Sequence, residues 1–202
     1  MTGYTLGGYW THTGDTGWYL DAVLQGTFSQ LSTRSSLGQN LRDTNGWSVA
    51  GSLEAGYPFQ LGDGWTLEPQ AQLIYQIASI DVSSDDFGVI DFNDSTTIDG
   101  RLGLRLAKDW TTADNRVLTT WAHADLWHAF EKSATTTFSS LTRGNPVPVS
   151  TDLGGTWGTI GVGASGQIRE GVTLFGSADY NRRLDGEQGD GFGGRLGLRV
   201  RW

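Results

Sequence analysis

The sequence predicts an all-β chain: an antiparallel up-and-down transmembrane β-barrel, with about nine or ten strands in the 202 residues. Three observations lead there. Polar and apolar residues alternate over runs far longer than the usual strand of about 5–6 residues. The connections between runs alternate between short and long. Aromatic residues gather beside the short connections. Composition agrees: 30 glycines, 9 tryptophans, 4 prolines and no cysteine. The glycine content is about twice the ordinary ~7%. The absence of cysteine excludes a disulfide scaffold and a thiolate zinc site. A net charge of −8 argues against a nucleic-acid partner. No apolar run approaches the ~20 residues of a membrane helix, and no signal peptide opens the chain.

Nine strands follow from the alternation: 3–12, 17–31, 46–61, 65–80, 96–109, 116–131, 156–169, 172–184 and 191–202. Each has two distinct faces. In 46–61, Leu53, Ala55, Tyr57, Phe59 and Leu61 oppose Ser52, Glu54 and Gly56. In 65–80, Leu67, Ala71, Leu73 and Tyr75 oppose Glu68, Gln70, Gln72 and Gln76. In 191–202, Phe192, Leu196, Leu198, Val200 and Trp202 oppose Arg195, Gly197, Arg199 and Arg201. A tilted strand crosses a bilayer in about 9–11 residues, so these lengths suit a membrane wall.

Alternation alone fits a soluble barrel equally well, with its apolar face inward. The connections favour the membrane reading. Those at 13–16, 62–64, 110–115 and 170–171 are short; those at 32–45, 81–95, 132–155 and 185–190 are longer. Outer-membrane barrels pair short periplasmic turns with long outer loops. Trp10, Trp18, Phe59, Trp65, Trp110 and Trp202 lie at the short-turn level, where an interfacial aromatic girdle belongs. Acidic residues concentrate in the long loops. Segment 81–94 carries Asp81, Asp85, Asp86, Asp91 and Asp94, read as solvated charge because a calcium loop wants tighter ligand spacing and a closing Glu.

The polar faces carry Arg101, Arg105, Arg195 and Arg199, with Glu54, Glu68, Asp125 and Asp179. Facing a lumen, these residues would form ion-pair networks that keep a channel wet, and would give an unfolded polypeptide a surface to slide over. Structural pairing among them is the simpler reading, and both can hold. His123 and Asp125 share a face, but a catalytic set needs a third positioned group and the sequence offers none, so no enzyme is predicted. Gly161, Gly163 and Gly166 sit within a strand, not in a phosphate-binding loop, and read as positions where the wall curves or a lumen segment approaches. Asn93-Asp94-Ser95 matches a glycosylation acceptor only in a eukaryotic secretory setting. No cofactor and no metal are expected.

Counting back from Trp202 on the short-turn side, strand 3–12 starts on the long-loop side. Bacterial barrels have even strand numbers and start in the periplasm. The count therefore expects an incomplete barrel, closed by absent strands, a partner chain or a further strand near 134–141.

Several stretches, in order, resemble the autotransporter β-domain, the C-terminal translocator of type V secretion. They include Gly17-Trp18-Tyr19-Leu20-Asp21-Ala22-Val23, Ser52-Leu53-Glu54-Ala55-Gly56-Tyr57-Pro58-Phe59, Trp65-Thr66-Leu67-Glu68-Pro69, Trp121-Ala122-His123-Ala124-Asp125-Leu126-Trp127-His128 and Arg195-Leu196-Gly197-Leu198-Arg199-Val200-Arg201-Trp202. The resemblance implies a barrel of twelve strands, of which this chain would hold the fourth to the twelfth. It further implies residence in the outer membrane of a Gram-negative bacterium, in contact with its lipid, and support for export of an N-terminal passenger. The barrel-assembly machinery would insert it by pairing its central barrel with an edge strand, and Gly197, Leu198, Val200 and Trp202 resemble the assembly signal. Glu54 would face the segment that fills the pore. The chain would then be an N-terminally truncated domain, such as an assembly intermediate, or a re-engineered smaller barrel. A small porin-like or structural barrel is the alternative; a soluble sugar-binding β-sandwich using its tryptophans is a more distant one.

Overall fold

The computed structural model describes residues 2–33, 41–85, 87–112, 114, 116–152, 154–185 and 189–200. It consists of β-strands, in chain order β1 (Thr2–Thr13), β2 (Tyr19–Thr33), β3 (Leu41–Gly56), β4 (Phe59–Gly62), β5 (Trp65–Ile80), β6 (Ser83–Ser84), β7 (Gly88–Phe92), β8 (Ser95–Thr111), β9 (Val117–Ser140), β10 (Val147–Asp152), β11 (Gly155–Arg169), β12 (Val172–Arg183) and β13 (Asp190–Val200). The main sheet runs β1-β2-β3-β5-β8-β9-β11-β12-β13, every neighbour antiparallel. This up-and-down meander contains the nine expected strands. Among the described residues β1 and β13 do not pair, so the sheet has two open edges.

Three expectations need correction. Residues 46–61 do not form one strand: β3 ends at Gly56 and β4 begins at Phe59. Pro58 lies between them and has no N–H to give the ladder; Tyr57 still donates its N–H to Pro69 O at 3.2 Å. The loops 81–95 and 132–155 are not free of regular structure. Strand β9 runs on to Ser140, well past 131, and pairs there with β7 and β10, while β6 pairs with β7. The segment near 134–141 is therefore no separate strand of the wall but, up to Ser140, the last third of β9, paired with β7 and β10 instead of β8 and β11. The expected 32–45 connection partly belongs to β3, which begins at Leu41; residues 34–40 lie outside the described residues, as do Asp86, Arg201 and Trp202.

Register fixes the two faces. Glu54, Gln72 and Arg101 stand opposite one another on β3, β5 and β8, and Leu53, Leu73 and Gly100 fall on the other face. The apolar face is bare. Leu102 is 66% exposed, Ile160 61% and Val162 60%, and the buried hydrophobic residues among those described are only Ala107, Ala129 and Val172. A soluble monomer rarely exposes a large contiguous apolar patch. The sheet therefore has no core of its own, and hydrocarbon must cover this face.

On the polar face, side chains reach across an intervening strand. Tyr19 on β2 meets Glu68 on β5, Arg101 on β8 meets Glu54 on β3, and His123 on β9 meets Asp179 on β12. Strands two apart lie about 9.5 Å from each other, so such contacts form where the sheet curls toward its polar side. The turns on the short-connection side are tight. Gly62, Asp63 and Gly64 take φ of 91°, 50° and 78°, and Gly171 takes 72°, a left-handed geometry that glycine adopts without steric cost.

Candidate functional site

The polar face is organised around Arg101. Its Nη2 donates to Glu54 Oε2 at 2.8 Å, and its Nη1 donates to Asp125 Oδ1 at 3.1 Å and to Gln70 Oε1 at 3.3 Å. The guanidinium lies over the Trp127 ring, 5.5 Å from its centroid, and Trp127 stacks on Trp157 at 5.8 Å. The Asp125 side chain is 5% exposed and that of Arg101 13%, so these charges are held largely away from water. Buried charges persist only where paired and hydrogen-bonded.

The network spreads to both sides. The Tyr19 hydroxyl is within reach of Glu54 Oε1 at 3.0 Å and Glu68 Oε1 at 3.2 Å, its one proton serving both carboxylates. Gln70 Nε2 donates to Glu68 Oε1 at 2.6 Å. Arg105 stands 3.8 Å from Glu68 and over the Trp121 ring at 5.3 Å. On the other side, His123 Nδ1 meets Asp125 Oδ2 at 2.7 Å and His123 Nε2 meets Asp179 Oδ1 at 2.9 Å. A linked array of charged and polar groups thus runs from β2 to β12.

Small residues make room for it. A Cβ at Gly161 would collide with His123 Nε2 and Asp179 Oδ1, and one at Gly103 with Asp125 Oδ1. Gly163 accommodates the Trp121 ring and Gly56 the Tyr19 ring. The close approach at Gly161 and Gly163 therefore comes from side chains of the same sheet. Aromatic rings laid over strand glycines help to fix register.

Six of the eight polar residues singled out from the sequence meet in this array: Glu54, Glu68, Arg101, Arg105, Asp125 and Asp179. The other two, Arg195 and Arg199, share the face at register positions opposite Ser177 and Thr173 on β12, with no ion pair among the described residues. Tyr19, Gln70, Trp121 and Trp127 were missed. Alternation assigned Gln70 to this face without a partner, and only the register brings all four to their partners. The third group that the sequence did not reveal beside His123 and Asp125 is Asp179. Carboxylate oxygens thus lie within hydrogen-bond distance of both ring nitrogens of His123.

At the short-turn level Trp10 stacks on His12 at 5.8 Å, and His12 meets Trp18 at 5.1 Å. Phe59 packs on Tyr57 at 4.6 Å. Lys108 Nζ sits 4.8 Å from the Trp65 ring and 4.7 Å from that of Trp110. At the opposite end, Arg183 Nε donates to Asp185 Oδ1 at 2.7 Å and the Thr156 N–H donates to Asp185 Oδ2 at 3.0 Å. These contacts, Arg183 first, hold the Asp185 carboxyl below its ordinary range. In the acidic loop, Asp85 Oδ1 accepts from the N–H groups of Phe87 and Gly88, each at 2.8 Å, and so closes its own turn. Among the described residues no group of three or more His, Asp or Glu is arranged to hold a metal ion. Gly197 leaves room for the Phe175 ring, Leu198 and Val200 share the apolar face with Leu196, and Trp202 lies outside the described residues.

Comparison with known proteins agrees with this geometry. The family model of the autotransporter beta-domain matches residues 1–179. The chain is 30% identical over 215 residues to the adhesin BmaC autotransporter of Brucella suis, a match covering all of this chain and 6% of that protein. It is 29% identical over 188 residues to the pertactin autotransporter of Bordetella bronchiseptica, covering 88% of this chain and 19% of that one. The chain thus spans less than a fifth of these relatives. Among solved structures, the β-domain of the Bordetella autotransporter BrkA superposes with a TM-score of 0.70 at 22% identity, covering 99% of this chain and 73% of that one, which speaks for the fold. The chain belongs to the autotransporter β-domain family, and its strands form the wall of an outer-membrane β-barrel of a Gram-negative bacterium.

Proposed function

We propose that this chain forms most of the wall of a pore through which a passenger, carried on the same polypeptide, reaches the cell surface. The observation that carries this reading is the polar array from Tyr19 to Asp179, lying opposite an outer face made almost wholly of apolar side chains. A wall whose charges satisfy one another stays wet and fixed in shape, and offers a sliding polypeptide few unpaired groups to stick to. Glu54, Glu68, Arg101, Arg105, Asp125, Asp179, Arg195 and Arg199 line this path. Trp10, Trp18, Phe59, Trp65 and Trp110 form the aromatic level at the periplasmic interface; Trp202, expected beside them from the sequence, lies outside the described residues.

The two open edges support a further part of the proposal. An unpaired strand edge in hydrocarbon costs several kcal/mol per unsatisfied backbone group. In the membrane, further strands therefore cover β1 and β13. During insertion the barrel-assembly machinery takes that place, with its central barrel pairing to β13 through the segment of Gly197, Leu198, Val200 and Trp202.

The experiment uses the full reading frame expressed in cells. Reversing Glu54, Glu68 and Asp179 to lysine should cut surface display of the passenger while the domain still inserts, read as heat-modifiable gel mobility. Unchanged display would overturn the lumen assignment. Protease added outside intact cells should cut within 81–95 and 141–154 and spare 62–64 and 170–171; the reverse pattern would invert the topology. Cysteine at Leu198 should crosslink to the machinery's central barrel during assembly, and absence of that product would remove the edge-pairing step.

A further inference from the structure

On the outer face of the wall, β8 presents Gly100, Leu102, Leu104 and Leu106, and then Lys108. Among the described residues Lys108 has no carboxylate partner: no salt bridge includes it, and its neighbour Asp109 turns to the other face, where it accepts from the Thr119 hydroxyl at 2.6 Å. A cation left without a counter-charge on a surface facing hydrocarbon is costly unless it reaches the headgroup layer.

The surroundings of Lys108 are built, not incidental. Trp65 stands directly opposite it in the β5–β8 register, and the tight turn before Trp65 is tied down where Asp109 N donates to Gly64 O at 2.9 Å. Trp110 is fixed by its Nε1–H, which donates to Thr120 Oγ1 at 3.0 Å. Lys108 Nζ lies 4.8 and 4.7 Å from the two ring centroids. The indole faces hold the ammonium by charge–quadrupole attraction, which consumes none of its three N–H donors in conventional hydrogen bonds. The ammonium is thus kept at the level of the short turns with its positive charge uncompensated and pointed into the interface. The most abundant anion at that depth in a bilayer is a lipid phosphate.

We propose that Trp65, Lys108 and Trp110 form a binding site for the phosphate of a glycerophospholipid in the leaflet that meets the short turns. The indoles pack along the glycerol and upper acyl region, and the ammonium pairs with the phosphate oxygen. The choice of leaflet rests on the proposed function, in which the short turns are periplasmic.

Native mass spectrometry of the full-length protein, released from mild detergent, tests the site. The probes are phosphatidylglycerol and a digalactosyl diacylglycerol of matched acyl chains, which lacks phosphate. Phosphatidylglycerol should remain bound at low stoichiometry, and Lys108→Gln should reduce its occupancy about fivefold, the effect of one lysine charge near a membrane surface. Lys108→Arg should retain it, and the galactolipid should be indifferent to both changes. Equal retention of both lipids, or no change in Lys108→Gln, would overturn the proposal. A photoactivatable phospholipid should also label the peptides holding Trp65 or Trp110 in the unmodified protein, a readout that survives if a variant fails to fold. Labelling confined to other peptides would overturn it too. Capture of lipopolysaccharide at this site in place of phospholipid would overturn the leaflet. External protease cutting at 62–64 would instead mark a failure of the topology and leave the phosphate chemistry standing.

Discussion

The middle of the wall and its two edges differ in how completely each residue's surroundings are specified. In β8, Arg101 meets β3, β5 and β9 side chains at once, and Ala107 is buried. In β1, all twelve residues are exposed, with Leu6 at 85% and Tyr9 at 84%. In β13, Leu196 is 82% exposed and Arg195 and Arg199 have no ion pair among the described residues. Both regions carry the same alternation, on strands of 17 residues at the centre and 12 and 11 at the edges, each long enough to cross a bilayer. A barrel strand acquires defined chemistry from its two neighbours; with one neighbour, its side chains have a face but few partners.

The sharpest way to break this comparison is to remove the centre of the network. Arg101→Ala strands the carboxylates of Glu54 and Asp125 on a part-buried face. Removing one partner of a buried pair costs about 3–5 kcal/mol, and a wet lumen favours the lower end. Arg101→Lys should recover only part, because an ammonium cannot serve Glu54, Asp125 and Gln70 with a planar fork. Urea unfolding in lipid vesicles measures both. A loss below 1 kcal/mol for Arg101→Ala would mean that the array is decorative and the centre no better specified than the edges.

Next in size is the outer face. Leu73→Arg on β5 should cost about 2–4 kcal/mol if it lies near the membrane midplane. Gln72→Arg, one residue away on the polar face, should cost much less, limited to its lost bond to Ser52 Oγ at 2.8 Å. Equal losses in the same unfolding assay would erase the distinction between the two faces.

Gly161→Val probes the room left for the network. The added side chain meets His123 and Asp179, and overpacking of this kind costs about 1–3 kcal/mol. Gly158→Ala on the other face, where the nearest atom to a new Cβ is Leu184 Cδ1 at 3.5 Å, should stay within about 0.5 kcal/mol. A mild effect at Gly161 would show that His123 swings away and that its two carboxylate contacts are not required.

These examples mark what could be read without a structure. The faces were legible, because a period of two needs only the order of residues: Glu54, Glu68, Arg101, Arg105, Asp125 and Asp179 were all assigned to one side from alternation. Their pairing was not legible. Arg101 reaches Glu54 across β5, and His123 reaches Asp179 across Gly161, and both contacts depend on register and curl. Segment 132–155 was expected to be a long connection, with a further strand near 134–141 as one way to close the barrel; Thr, Ser and Ala dominate 133–140, so its alternation is weak. Pairing with β7 and β10 makes it a strand. The break after Gly56 was readable in principle from Pro58, but the apolar alternation through Tyr57, Phe59 and Leu61 concealed it.

The smallest effect belongs to the edge and tests the comparison from its other end. Arg195 and Arg199 face the polar side of β13 opposite Ser177 and Thr173, neither of which offers a charge. Neither substitution strands a charge among the described residues, so Arg195→Ala and Arg199→Ala should each cost no more than about 0.5 kcal/mol in urea unfolding of the full reading frame in vesicles. A strand that covers β13 completes its ladder, and in doing so it brings lumen-facing side chains toward both guanidiniums. A loss beyond about 1 kcal/mol, still below that of Arg101→Ala, would show that those side chains are acidic and that covering the edge specifies it as the centre is specified.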